Sequence, residues 1–372
     1  MAPSTISTAI GDIMINRRNA LGLTVGGLAA GAAIASPAIA RENGLRFRMV
    51  TSWPRGRAGP GVSAQRVAER INRMAEGRLH VELFAAGEIV SAFGVLDAVS
   101  EGTVEMGHSA AIYWQGKMPA ASFFTTVPFG LGPIEHQAWI ALRGGQELWD
   151  ELYRPYGVRA FMAGNPGPNM GGFFRERIAS LADLRGRRIR IVGLGAQIFE
   201  KLGATPVNLP AGEMVTALDR GAIDGVEFLA PASDYDTGLH QHAPYYYAPG
   251  FNKPNGPSEL LISDAAWQQL PDDLRAIVAE GARAEHALAL ADAHQDNARA
   301  LDAMLTTGNV SIEAFPGDLI SAAREAAGEI IDEIAATSQL AERIVASYRE
   351  AQGTLRNWTA LSSDMARSLV RS

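Results

Sequence analysis

Arg190 is the residue of this chain best placed by type and context to hold an anion. It stands between Ile189 and Ile191, which read as buried, and Gly193-Leu194-Gly195 follows closely. A planar guanidinium matches a carboxylate through two parallel hydrogen bonds. Glu227 and Phe228 come directly after Asp224-Gly225-Val226. Residues 187–226 alternate short strand, helix (Ile198, Phe199, Leu202), strand (206–208), helix (Met214, Leu218) and strand (222–226). Two strand–helix–strand units predict a parallel sheet, whose ligands sit beyond the carboxyl ends of the strands. Arg190 and Glu227 then meet one ligand. The plainer alternatives are a solvated edge arginine and an acid that is solvated or caps a helix. Arg187, Arg188, Arg175 and Arg177 read as surface charges.

Other chemistries have little to stand on. A dinucleotide loop of the form G-x-G-x-x-G needs glycine at 198, where Ile198 stands, and there is no Walker-A lysine motif. Gly193 and Gly195 read as a tight turn, either purely structural or letting the backbone approach a ligand. The 7 histidines are scattered, and His240 and His242 point to opposite faces if extended, so no zinc triad is expected. The absence of cysteine removes disulfides, thiolate metal sites and cysteine nucleophiles together. No Ser/His/Asp arrangement has supporting context. A net charge of −7 without a polybasic run argues against nucleic acid as a partner.

The elements that position these residues span 372 residues, enough for two domains, with 47% hydrophobic and 20% charged residues, as in ordinary globular chains. Residues 1–40 read as a signal peptide: Arg17-Arg18, a Gly/Ala-rich apolar run over 20–34, and Ala38-Ile39-Ala40 before the cleavage point. The arginine pair is twin-arginine-like, and Sec export is the alternative. Its removal takes away Arg17, Arg18 and Asp12 and moves the net charge from −7 to −8, so an anion site must be locally positive against the mean field. Strands are expected at 45–50, 80–84, 103–108, 158–162, 170–175, 258–263 and 310–314. Helices are expected from Pro60 to Met74, over 90–99, as a pair within 134–154, from Pro271 to Met304 as a long strut weakened at Gly281, and over 318–352. Gly353 would separate the last from an amphipathic helix over 355–370. The Pro/Gly-rich stretches 164–169 and 250–257 are the expected crossovers between domains. The aromatics Trp53, Tyr113, Trp114, Phe129 and Tyr245 to Tyr247 divide between core and cleft wall.

The run "ADLRGRRIRIVGLGAQIFEKLGATPVNLPAGEMVTALDRGAIDGVEF" resembles the solute-binding subunits of tripartite ATP-independent periplasmic (TRAP) transporters, in the branch that binds 2-oxo acids and related monocarboxylates. The stretches "HSAAIYWQGKMPAASFFTTVPFGL", "GNPGPNMGGFFRERI" and "YYYAPGFNKPNGPSELLIS" extend the likeness over nearly all of the chain after residue 40. The resemblance implies an α/β, two-domain periplasmic binding protein fold: two sheets with flanking helices, joined by crossover strands and a long bridging helix. Domain I would hold 41–167 plus 256–295, and domain II 168–255 plus 296–352. It implies that Arg190 clamps the ligand carboxylate, that Glu227 ligates a cation, and that Phe228 gives its carbonyl and an aromatic wall where tryptophan is usual. Asn169 stands where glutamine is common, within reach of the same cation, or else as a loop asparagine bonding its own backbone. Tyr113 and Phe251-Asn252 are further ligand contacts by the same likeness.

A carboxylate ligand facing Glu227 would be repelled in a poorly solvated cleft. A hard cation removes the conflict, and Asn169, Glu227, the Phe228 carbonyl and the ligand's own oxygens form an all-oxygen shell suited to Ca²⁺ or Na⁺. The expected function is extracytoplasmic capture of a small 2-oxo or 2-hydroxy monocarboxylate and delivery to a TRAP permease, without enzyme activity. The rivals are a periplasmic enzyme acting on an organic acid in the same cleft and a partner of a non-transport sensor. Residues 353–372, with Leu355, Trp358, Leu361, Met365 and Leu369 at helical spacing, are expected to support a homodimer.

Overall fold

A computed structural model of the chain describes residues 44–364. The expected signal peptide, and Met365 and Leu369 of the last apolar stripe, lie outside the described residues. Two sheets carry the fold. The first contains β1 (Leu45–Thr51), β2 (Leu79–Phe84), β3 (Met106–Ser109), β4 (Val158–Met162) and, from much later in the chain, β10 (Glu259–Ser263), in the order β2-β1-β3-β10-β4. The second contains β5 (Gly172–Phe174), β6 (Arg188–Arg190), β7 (Thr205–Val207), β8 (Gly225–Val226), β9 (Tyr245–Tyr247) and β11 (Ser311–Glu313), in the order β11-β9-β5-β8-β6-β7.

The strand–helix–strand units pair in parallel as expected, β1 with β2 and β3, and β6 with β7 and β8. The sheets are nevertheless mixed. β5 and β10 each run antiparallel to both neighbours. Each enters its sheet from the other one, with no intervening helical return of the kind that parallel pairing requires. The two crossings run side by side. Ala163 N donates to Ser258 O (2.8 Å), Ser258 N to Gly164 O (3.0 Å) and Gly250 N to Asn169 O (3.0 Å). The long helix Asp272–Thr306 lies against them, its Asn297 amide donating to Pro166 O (3.0 Å). Gly281 is no weakness in it. A Cβ there would stand 3.2 Å from Ile71 and 3.4 Å from Met74, so glycine sets the close approach to helix Pro60–Ala75.

The C-terminal helices divide elsewhere than expected. One ends at Ala335, Ser338 caps the next by accepting from Ala341 N (3.1 Å), and Gln339–Thr359 continues through Gly353. An exposed helical glycine costs only about 1 kcal/mol, less than the neighbouring packing contributes. The stretch 110–131 forms two short 3₁₀ segments, Ala111–Trp114 and Pro119–Phe124. Phe124 stacks between Trp139 (5.5 Å) and Trp149 (5.1 Å) there.

Glu259, the first residue of β10, is buried in this region, accepting from Trp114 Nε1 (2.6 Å) and Tyr153 Oη (2.9 Å). Burial outweighs both donors and pushes its carboxyl up from 4.5 to about 8. Between those values the folded chain keeps a proton that the unfolded chain releases, so stability falls as pH rises through that interval. Glu259→Gln keeps an acceptor and removes the charge. The variant is therefore expected to lose less stability than the parent between pH 5 and 8 in denaturant titrations; equal losses would mean that Glu259 does not hold its proton in the fold.

Candidate functional site

β6 and β8 end side by side, and their last residues open the site. Glu227 N donates to Arg190 O (2.8 Å), continuing the pairing one step past the strands. Ile189 and Ile191 are buried, and the alternation turns Arg190 to the other face. Arg190 itself is 1% exposed. Its Nε donates to Leu209 O (3.0 Å) and its Nη1 to Glu227 O (2.7 Å). Its Nη2 has no hydrogen-bond partner among the described residues. The guanidinium is thus held by two carbonyls and presents its remaining edge to a cleft, with Phe228 packed against it at 5.6 Å.

The cleft is lined by Trp53, Tyr113, Asn169, Arg190, Phe228 and Lys253 among others. Trp53 is oriented by His108, whose Nδ1 accepts from the indole (2.9 Å) while Nε2 faces Ala163 O (2.8 Å). Burial takes that imidazole down from 6.5 to about 4, so it is neutral and serves as a fixed acceptor. Burial raises the Tyr113 phenol, and the neighbouring Arg190 opposes the shift. Asn169 is buried, with neither side-chain atom hydrogen-bonded. Buried polar groups are normally paired, so Asn169 and Arg190 Nη2 mark a surface shaped for a polar ligand.

Glu227, which the resemblance implies as a cation ligand, lies behind the cleft wall. It is fully buried behind Lys253, whose Nζ lies 2.7 Å from Glu227 Oε1 and donates to the carbonyl of Phe228. Burial raises the Glu227 carboxyl and lowers the Lys253 ammonium, and the ion pair opposes both shifts. Lys253 forms part of the cleft wall; Glu227 does not. Asn252, also expected at the ligand, is buried outside the cleft lining, beside Gly195, where a Cβ would stand 3.1 Å from its own. Phe251 belongs to the core, stacked on Phe129 (5.0 Å) and Phe199 (6.0 Å). Lys253 is the functional candidate that sequence reasoning missed. Its signal is one lysine inside the aromatic, Pro/Gly-rich run 245–257, a setting where a cation must find a partner.

Of the remaining expectations, Arg188 pairs with Asp224 (2.8 Å), Arg187 with Glu176 (2.8 Å) and Arg177 with Glu313 (2.7 Å), all away from the cleft. Tyr246 donates to Asp234 (2.7 Å) and Tyr247 accepts from Ile178 N (2.6 Å), within the second sheet's surroundings. Burial raises the Asp234 carboxyl to about 7. Among the described residues no group of three or more acidic or histidine side chains is arranged to hold a metal ion, and no helix is long and apolar enough to cross a membrane. Across the rim, Arg57 pairs with Asp236 (2.9 Å) and Ser233 Oγ donates to Ala58 O (3.0 Å). Gly59, at φ 80°, permits this approach, since a Cβ there would stand 2.7 Å from Ser233 Oγ.

The family described as "Bacterial extracellular solute-binding protein, family 7" matches residues 60–338. A monocarboxylate 2-oxoacid-binding periplasmic protein of Nostoc sp. is 36% identical over 319 residues, 86% of this chain and 87% of that protein. A TRAP transporter solute-binding protein of Bordetella bronchiseptica, a mixed-occupancy dimer with copurified calcium and picolinate, superposes with a TM-score of 0.86 at 31% identity, covering 88% of this chain and 98% of its own. One from Pseudoalteromonas atlantica with bound sodium and pyruvate gives 0.85 at 35% identity, covering 87% and 99%.

Proposed function

Because this chain belongs to bacterial extracellular solute-binding protein family 7, we propose that it captures a small 2-oxo or 2-hydroxy monocarboxylate in the periplasm and delivers it to a TRAP-type membrane permease. The observation that carries this reading is the buried edge of Arg190, unpartnered at Nη2 and facing the cleft. Arg190 clamps the carboxylate, Asn169 meets the ligand's other oxygen, and Trp53, Tyr113 and Phe228 form apolar walls. The relatives from Nostoc, Bordetella and Pseudoalteromonas are named as binding proteins, which favours capture over catalysis.

Two lobes, 41–167 with 256–295 and 168–255 with 296–352, close about the paired crossings on this reading, and the Arg57–Asp236 and Ser233–Ala58 contacts are those of a shut cleft. Calcium and sodium accompany the carboxylate in the two solved relatives. Here the expected metal donors Glu227 and Phe228 already share the Lys253 ammonium, and they do not suit a metal ion as well.

Thermal denaturation with and without pyruvate, lactate and longer 2-oxo acids tests the reading. At a hundred times its dissociation constant a true ligand adds about 2.7 kcal/mol of stability. No stabilisation by any of them would refute carboxylate capture.

The homodimer is proposed on the apolar surface left at the end of helix Gln339–Thr359, where Trp358 is 69% and Leu361 63% exposed. Ile134 on the neighbouring helix Pro133–Leu142 is also exposed, and Thr359 Oγ1 donates to Glu135 of that helix (2.5 Å). Substituting both Trp358 and Leu361 with glutamate is expected to convert a dimer into a folded monomer by light scattering. An unchanged mass would place any interface elsewhere.

A further inference from the structure

The carbonyl of Phe228 and the carboxylate of Glu227 are two of the three protein groups, with Asn169, on which a bridging metal would rest, and one side chain of this chain already joins those two. Lys253 Nζ lies 2.7 Å from Glu227 Oε1 and donates to Phe228 O. A Ca²⁺ ion would sit about 2.3–2.6 Å from each oxygen, inside the volume the ammonium fills. This is not a surface lysine drawn inward, since the residue is 4% exposed. Its backbone is fixed in the second crossing, where Lys253 N donates to Gly250 O (3.1 Å) and Lys253 O accepts from Asn169 N (3.3 Å).

We propose that Lys253 is the resident cation of this site: it neutralises Glu227 and turns its remaining donor into the cleft beside Arg190, so that a monocarboxylate binds between Arg190 and Lys253 without a metal ion. The inference rests on the carboxylate-capture reading for its ligand and on geometry alone for the exclusion of metal. Charge supports it. With Asp234, which burial raises to about 7, holding its proton, Arg190 and Lys253 against Glu227 leave one positive charge, which one ligand carboxylate balances. A divalent ion would leave two charges uncompensated in a shut, poorly solvated cleft, and a dicarboxylate would leave one of the opposite sign. Monocarboxylates are therefore selected over dicarboxylates of similar length. An ammonium also supplies three N–H donors and no acceptor, which suits the 2-oxygen of an oxo or hydroxy acid.

The test begins with the unaltered chain, dialysed against chelator in sodium-free buffer and titrated calorimetrically with pyruvate. The affinity is expected to stay within about twofold when Ca²⁺ or Na⁺ is restored, because a ligand and an ion that do not couple leave each other's affinity unchanged. A tenfold or greater loss on chelation, recovered with Ca²⁺, would overturn the proposal. Titration of calcium into the ligand-free protein needs no carboxylate: no stoichiometric binding is expected, and one tight site would refute Lys253 as the resident cation. If pyruvate fails under every condition while calcium also fails to bind, the choice of ligand is wrong and the exclusion of metal stands. Lys253→Met is expected to weaken pyruvate binding about a hundredfold and to let Ca²⁺ restore part of it. Because that variant leaves Glu227 buried without a partner, the double variant Lys253→Met with Glu227→Gln is measured beside it. It is expected to fold and to bind pyruvate at least about tenfold more weakly than the parent in the absence of metal; parental affinity would mean that Lys253 does not touch the ligand.

Discussion

Replacing Arg190 with lysine is expected to weaken capture of a small carboxylate about a hundredfold, roughly 2.7 kcal/mol. The loss follows from how the guanidinium is held. Nε and Nη1 are committed to the carbonyls of Leu209 and Glu227, and only a fork can keep both bonds while offering a further edge to the cleft. A lysine keeps the charge, reaches at most one of those carbonyls in the same orientation, and cannot make a planar two-point contact. The fold is expected to survive, with a stability loss of about 1–3 kcal/mol from the carbonyls left short of donors. Calorimetry on the folded variant decides the matter, and an affinity near that of the parent would remove Arg190 as the clamp.

The second large effect is expected from Gly193→Ala, at a position that contacts no ligand in the proposed site. Gly193 precedes helix Leu194–Lys201 with φ 70° and ψ −154°, a region of backbone space that only glycine occupies readily. A Cβ there would overlap the side chain of Ile112, which lines the cleft from the other sheet's side. Strain of about 1–3 kcal/mol and overpacking of similar size add, so a loss of about 2–6 kcal/mol in denaturant titrations is expected, with weaker carboxylate binding because Ile112 must shift. Unchanged stability would show that the backbone turn relaxes. Gly195→Ala meets ordinary helical geometry but presses on Asn252, with a Cβ–Cβ distance of 3.1 Å, and is expected to cost less.

These two glycines separate what is local from what is not. That a Gly-x-Gly pair after a short strand marks a special backbone is a local matter, and it is legible. That it lets Ile112 and Asn252 approach so closely depends on residues 81 and 57 positions away and is not.

Much was determined by the sequence itself, because the physics is local. The proline that opens Pro60–Ala75, the Ser263 cap, the acids that start Asp272–Thr306 and the β6-to-β8 alternation all follow from propensities and periodicities within a few residues. The place of Arg190 at a strand end is of the same kind, since a β6 of three residues leaves its last side chain little choice of face. The resemblance to TRAP solute-binding subunits was legible too, because it rests on runs of residues. What only the tertiary structure decided is pairing and burial between distant segments. β5 and β10 become antiparallel because each arrives from the other sheet. Tyr246 and Tyr247 enter the second sheet rather than the cleft. Above all, Glu227 and Lys253 share a fully buried contact across 26 positions of chain, which puts a cation of the protein's own where the sequence suggested a metal. A charge's partner is fixed by which segments fold against each other, and no spacing along the chain records that.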